Sequence, residues 1–398
     1  MRRIALFTVL FLSVHQLLLN AQDVKIFDRT VQFHGFASQG FVYTDQNNWM
    51  TMNTSSGSAA MTDMGANASV AITDKLRIGA QVYDRNLGQL GQWHPTLDWA
   101  YADYRFTDWL GIRGGKVKTV SGLYNDTQDM DFLHPFALLP QGVYPTVIRE
   151  VTIAHKGGDI YGHISLGGKN GSLQYTAFAG ERDDSKYGGY FYLEQTPPPV
   201  LILNSLSALQ YGGDLRWNTP VAGLLVGVSR FSEDNQGDGI FNAGGGFMPF
   251  TQTSKADWNN QFYGQYIHNK FELDAEYKRS WLDELLYSGA EEVQTNAKAW
   301  YVAGSYRVFK WMQVGSYYSS LNVNSPVGPA GPSSGYTHDK DLTVRFDANR
   351  YLNFKVEGHF MDGVGLPGVY PGGFFSINNP NGLKPNTNAL IVKTNFNF

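Results

Sequence analysis

From Leu76 to Arg85 apolar and polar residues alternate most clearly: Leu76, Ile78, Ala80 and Val82 against Arg77, Gly79, Gln81, Tyr83 and Arg85. Successive side chains of an extended strand point to opposite faces, so this segment has one apolar face and one polar face. Asp341 to Asn349 repeats the pattern, setting Leu342, Val344, Phe346 and Ala348 against Asp341, Thr343, Arg345, Asp347 and Asn349, and Asn353 to Phe360 repeats it again. From Phe271 onward, Glu272, Asp274, Glu276 and Lys278 alternate with Phe271, Leu273, Ala275 and Tyr277. Charge of that density is costly against lipid, so this face must meet water. One such strand also suits a half-buried soluble sheet, and only the organisation of the whole chain decides.

Short and long connections alternate along the sequence. Short turns fall at Thr73-Asp-Lys75, Thr107-Asp-Trp109, Gly167 to Ser172, Thr219 to Gly223, Asn269-Lys270, Phe309-Lys310 and Arg350-Tyr-Leu352. Between them lie longer Gly/Asn/Ser/Pro-rich stretches near residues 44–63, 86–96, 119–150, 182–206, 232–256, 281–295, 324–338 and 363–386. Seven turns and eight loops join sixteen strands with both ends on the turn side. The expected fold is therefore all-β: a sixteen-stranded antiparallel transmembrane β-barrel with short periplasmic turns and long extracellular loops.

Composition agrees with that class. Aromatic residues make up 14% of the 398, and Phe106, Trp109, Trp217, Phe271, Phe309, Trp311, Tyr351, Phe354, Phe396 and Phe398 cluster beside the short turns. Amphipathic rings favour the headgroup level, so the cluster reads as an aromatic girdle. Beyond the first residues no apolar run approaches the roughly 20 residues of a spanning helix, which excludes a helical membrane protein. A net charge of −4 with no long basic run excludes a nucleic-acid footprint, and the absence of cysteine excludes disulfides and thiolate metal sites. Met1-Arg2-Arg3, an apolar stretch from Ile4 to Leu19 and Leu19-Asn20-Ala21 suggest a signal peptide over 1–21, for the Sec route rather than twin-arginine export. Residues 22–398 then form the barrel, placed in the bacterial outer membrane. The final strand, ending at Phe396 and Phe398, must pair with the first to close it.

Sixteen strands enclose more space than their own side chains fill, which leaves a water-filled passage. The longest connection, 119–150, carries Asp126, Asp129 and Asp131 and has enough aromatic and Leu residues to pack on a wall. Folded into the lumen, it would set these acids opposite Arg77, Arg85, Arg105, Arg113, Lys116 and Lys118, making a transverse field at a constriction. Lys116 and Lys118 have the parity opposite to Arg113, so their inward placement requires a bulge at Gly114-Gly115.

Val31-Gln-Phe-His-Gly-Phe-Ala-Ser-Gln-Gly40, Leu76 to Tyr83, Gly122-Leu-Tyr-Asn-Asp126 and Leu139-Pro-Gln-Gly-Val-Tyr144 resemble Gram-negative outer-membrane porin-like proteins of the general and phosphate-selective porin superfamily. The resemblance spans 22–398 and is sharpest in the first half. It implies passive diffusion of small hydrophilic solutes and a homotrimer. The Pro-Glu-Phe-Gly-Gly loop motif of enterobacterial general porins is absent, as is the long inward arginine series of phosphate channels. An anion-, phosphate- or sugar-selective channel is the near alternative, and an adhesin, receptor or hydrolase on a barrel scaffold the more distant one. Expected partners are outer-membrane lipid, small polar solutes or ions and the barrel assembly machinery.

Little points to other chemistry. His163 and Ser165 share a strand face, but no nucleophile elbow or matching acid accompanies them. The nine histidines show no zinc pattern, so neither cofactor nor metal is expected. Asp234-Asn-Gln-Gly-Asp-Gly239 offers oxygen ligands for calcium in an outer loop, though such loops are usually plain turns. Pro197-Pro-Pro199 with Val200 to Leu203 forms a stiff, apolar loop segment that caps the barrel or meets a neighbouring subunit.

Overall fold

A computed structural model describes residues 22–26, 28–194, 201–242, 244–326, 331, 333–366 and 372–398. The leader and Pro197-Pro-Pro199 lie outside the described residues. The barrel strands are β1 Arg29–Thr44, β2 Ser58–Ala71, β3 Leu76–Leu87, β4 Thr96–Thr107, β5 Leu110–Lys118, β6 Ala154–Ser165, β7 Ser172–Asp183 and β8 Leu201–Asn218. They continue as β9 Leu224–Asn242, β10 Asp257–His268, β11 Phe271–Leu286, β12 Glu291–Phe309, β13 Met312–Asn324, β14 Tyr336–Asp347, β15 Leu352–Gly365 and β16 Asn386–Asn397. Each pairs antiparallel with the next, and β16 returns to β1 over Ala389↔Thr44 to Asn397↔Phe36. Beyond that ladder Phe398 and Gly35 exchange backbone hydrogen bonds of 3.0 and 3.3 Å.

The alternation sorts as lipid-out and water-in. Ile78, Val82, Leu342, Phe354 and Val356 are exposed on the outer wall, whereas Asp341, Thr343, Lys355, Glu357 and His359 are buried within the lumen. Trp109, Phe309 and Trp311 stand out from the turn end of the wall, each more than half exposed. The turns are built from local polar caps: Thr73 Oγ1 accepts from Leu76 N at 3.0 Å, and Asn349 Oδ1 accepts from Tyr351 N at 2.8 Å. No described helix is long and apolar enough to cross a membrane.

Strands run further outward than the sequence reading placed them. The connection expected over 281–295 shrinks to 287–290, and Asp234 to Gly239 lies inside β9 rather than in a loop. That segment pairs with β8 and, from Gln236 on, with an extra strand, Phe247–Ser254. Outside the bilayer both faces of a sheet meet water, so the period-two contrast that marks a strand fades while its hydrogen bonding continues. The ladder therefore holds as strand the segment that the sequence placed in an outer loop.

Candidate functional site

The connection between β5 and β6 enters the lumen and bonds to the wall on several sides. At its start, Gly122 N donates to Ser229 Oγ at 2.8 Å, Arg216 donates to Gly122 O at 2.8 Å, and Tyr124 Oη donates to Asp274 at 2.7 Å. Farther along, Ala137 N and Leu138 N donate to the two oxygens of Glu357 at 2.5 and 2.9 Å, and Arg345 donates to the carbonyls of Phe132 and His134. At the end, Tyr144 Oη donates to Glu276 at 2.6 Å and Arg85 pairs with Glu150 at 2.6 Å. These partners sit on β3, β8, β9, β11, β14 and β15, so the segment crosses the lumen.

Apolar packing fixes its path. Phe136, Leu139, Val143 and Tyr144 are buried against Ala297, Ala299, Tyr301, Tyr317 and Leu321, with the Phe136 and Tyr317 rings edge-on at 5.2 Å. Each fully buried side chain of this size contributes about 1.5–3 kcal/mol. Leu139-Pro-Gln-Gly-Val-Tyr144 makes a turn in which Pro140 O accepts from Val143 N and Tyr144 N. A Cβ at Gly142 would stand 3.3 Å from that of Leu321 and 3.4 Å from that of Ala299, so the turn packs closely on the wall and a side chain there would press on both neighbours. On its outer side, Leu138 and Val147 join Trp49, Met50, Met52, Phe374 and Phe375 from two outer loops in an apolar cluster inside the mouth.

The acids of the loop end in ion pairs. Asp129 contacts Lys118 and Arg149, each at 3.0 Å, and accepts from Gln81; Arg149 also binds both oxygens of Asp98 and lies over the Tyr83 ring at 3.9 Å. Burial alone would raise the Asp129 carboxyl, but Arg149 and Lys118 outweigh it and hold it below the usual range. Asp131 pairs with Lys393 of β16, and its carbonyl accepts from Lys355 at 2.5 Å. Asp126 offers its carbonyl to Lys118 at 2.8 Å. His134 donates from Nε2 to Thr127 O at 3.0 Å, and burial lowers its pKa to about 4.

The cations named from sequence scatter. Arg77 faces the lumen and is exposed; Arg113 stands beside Asp159 at 2.7 Å and over the Tyr161 ring; Arg85 is taken up by Glu150. Arg105 is exposed at the periplasmic turn with Asp108. The β4–β5 and β5–β6 ladders run without a register shift through Gly114 and Gly115, so there is no bulge. Lys116 keeps the parity opposite to Arg113 and donates to the carbonyl of lipid-facing Leu97 at 2.6 Å, outside the lumen. Lys118 reaches Asp129 only because it ends its strand. Arg149, Lys355, Lys393 and Arg345, none of them among the constriction residues expected from sequence, join Arg85, Lys118 and Arg216 in holding the loop. For Lys355 and Lys393 the signal was present: each alternates with lipid-facing neighbours, Phe354 and Val356 or Leu390 and Val392. His163 and Ser165 are exposed near the periplasmic end, with no hydrogen bond between them among the described residues.

A closed sixteen-stranded barrel with an apolar exterior, a charged lumen and a loop folded across it is an outer-membrane porin fold. Among solved structures it is similar to OmpT from Vibrio cholerae, with a TM-score of 0.60 at 13% identity over 95% of this chain and 100% of that one. The outer-membrane channel DcaP of Acinetobacter baumannii follows at 0.54 and 11% identity, covering 93% and 97%, and an anion-selective porin from Comamonas acidovorans at 0.51 and 11%, covering 93% and 100%. At these identities the likeness is one of fold. No family model and no curated protein matches the chain.

Proposed function

We propose that the protein is a non-enzymatic porin through which small hydrophilic solutes diffuse passively, and that the loop between β5 and β6 sets its narrowest point. The observation that carries this reading is the charged loop anchored across a lumen that wall side chains alone would leave open. Its bonds to several walls favour a low size limit. Acids and bases are paired near the loop, so the ion preference rests on lumen groups outside those pairs, such as the exposed Arg77. Swelling of vesicles carrying the folded protein, measured with sugars of rising mass, tests the reading: uptake should fall steeply with mass, and rates equal to protein-free vesicles would refute it.

A homotrimer forms part of the proposal. Ala66, Ala68, Ala80, Ala100 and Ala102 share the outer face of β2 to β4 with Gly114 and Gly158 on β5 and β6, a flat flank suited to a second barrel. One solved form of Vibrio cholerae OmpT is described as a trimer. Native mass measurement in detergent should give three chains, and monomers alone would remove this part. The leader over 1–21 is proposed to be cleaved on export, which N-terminal sequencing of the membrane form checks.

A further inference from the structure

Against the inner wall, away from the loop's ion pairs, four ionisable side chains converge. Asp341 of β14 faces His359 of β15 directly across the ladder, with Asp339 and Glu357 two positions away on the same inward faces. His359 is fully buried; its Nδ1 lies 2.9 Å from Asp339 Oδ2, and its Nε2 lies 3.1 Å from Glu357 Oε1 and 4.0 Å from Asp341 Oδ2. Trp49 closes the site from above, edge-on to the imidazole at 5.2 Å. Neither oxygen of Asp341 has a hydrogen-bond partner, although its side chain is 0% exposed.

Charge does not balance there. Among the described residues no Lys or Arg pairs with Asp339, Asp341 or Glu357, and Lys355 sends its ammonium to the carbonyls of Asp131 and Phe136. Lys355 and Lys393 act on Glu357 only from a distance, which leaves one imidazolium at most in contact with three carboxylates, an expensive arrangement in a buried pocket. Donor atoms of Asp341, Glu357 and His359 lie within 4.8 Å of one another. A metal held at about 2.0–2.2 Å from each needs only a small side-chain rotation to close the set. Asp339 on Nδ1 fixes the tautomer that presents Nε2, the usual outer-shell support for a metal-bound imidazole.

We propose that Asp341, Glu357 and His359 bind one divalent first-row transition metal of the zinc class, with Asp339 as the positioning residue. Mixed nitrogen and oxygen donors favour such an ion over calcium or magnesium. Because Glu357 also accepts from Ala137 N and Leu138 N, the metal would staple the luminal loop to β14 and β15. The full chain, folded in detergent, stripped with chelator and dialysed against zinc, should retain one equivalent and melt at higher temperature than the stripped form. Absorption at the zinc edge should show one imidazole with oxygen donors. Asp341→Asn should abolish retention, and Asp339→Asn should weaken it about ten- to a hundredfold. Wild-type protein that holds no zinc, a shell of several imidazoles, or equal retention by a folded Asp341→Asn variant would each overturn the proposal. Should that variant not fold, the first two readouts, made on the wild type, still decide.

Discussion

Asp129 and Arg149, from opposite ends of the luminal loop, meet at 3.0 Å with both side chains buried. That contact closes the loop on itself while Arg149 reaches on to Asp98 and Asp129 to Lys118, so one clasp joins the loop to β4 and β5. Arg149→Met would leave Asp98 and Asp129 buried without their shared partner, a loss of about 3–5 kcal/mol. We expect a lower melting temperature together with larger single-channel conductance as the loop comes free. Arg105→Met, which removes an exposed pair with Asp108, should change stability by no more than about 1 kcal/mol. Equal effects from the two variants would remove the clasp from the account.

Ion preference should respond to a different set of residues. Arg77 is exposed in the lumen without an ion pair among the described residues, so Arg77→Gln should move the reversal potential under a salt gradient toward cations at little cost in stability. Asp129→Asn, at a fully buried group, should act first on stability. A reversal potential unmoved by Arg77→Gln would place the selective region elsewhere.

Closure offers a steric test. A Cβ at Gly35 would meet the Phe398 ring at 2.5 Å, so Gly35→Val has to push the terminal ring off the seam. Reduced yield of the heat-modifiable folded band on a gel is expected. Folding at the wild-type level would mean that the terminal ring is not part of the seal.

Acid should loosen the loop in two windows. His134 has a folded pKa of about 4 against an ordinary 6.5; a base depressed by burial stabilises fully above its unfolded value, and that contribution is lost as pH falls from about 6.5 to about 4. Asp129 is depressed below 3.8, so its contribution is lost only at still lower pH. Asp184 in an outer loop, raised to about 7 by burial despite Arg182, works in the opposite sense and mixes into whole-protein melts. Conductance against pH is the cleaner readout: onset of opening should begin below about pH 6.5 and shift lower in His134→Gln. An unchanged onset in that variant would contradict the assignment.

The fold was legible because lipid enforces a strict alternation. Leu342 and Val356 could only be outside if Asp341 and Glu357 were inside, and the turn at Arg350 to Leu352 fixed how the two strands met. Strand ends were less legible, since above the membrane Asp234 to Gly239 pairs as a strand without an apolar face. The site was half visible. Asp129 and Asp131 could be named as loop acids, but their partners Arg149 and Lys393 depend on how the loop turns back, which no local period records. Lys116 was misplaced by a bulge that the glycines permit and the ladder does not use. The cluster around His359 escaped notice because its donors come from two strands, at a spacing no linear metal motif contains.

A folded barrel whose luminal loop is its narrowest point should conduct. Single-channel recording in planar bilayers tests it most directly, on wild type and Arg149→Met side by side. Small, stepwise, ohmic openings are expected for the wild type and larger ones for the variant. A bilayer that stays silent with both folded proteins, or steps of the same size from each, would contradict it.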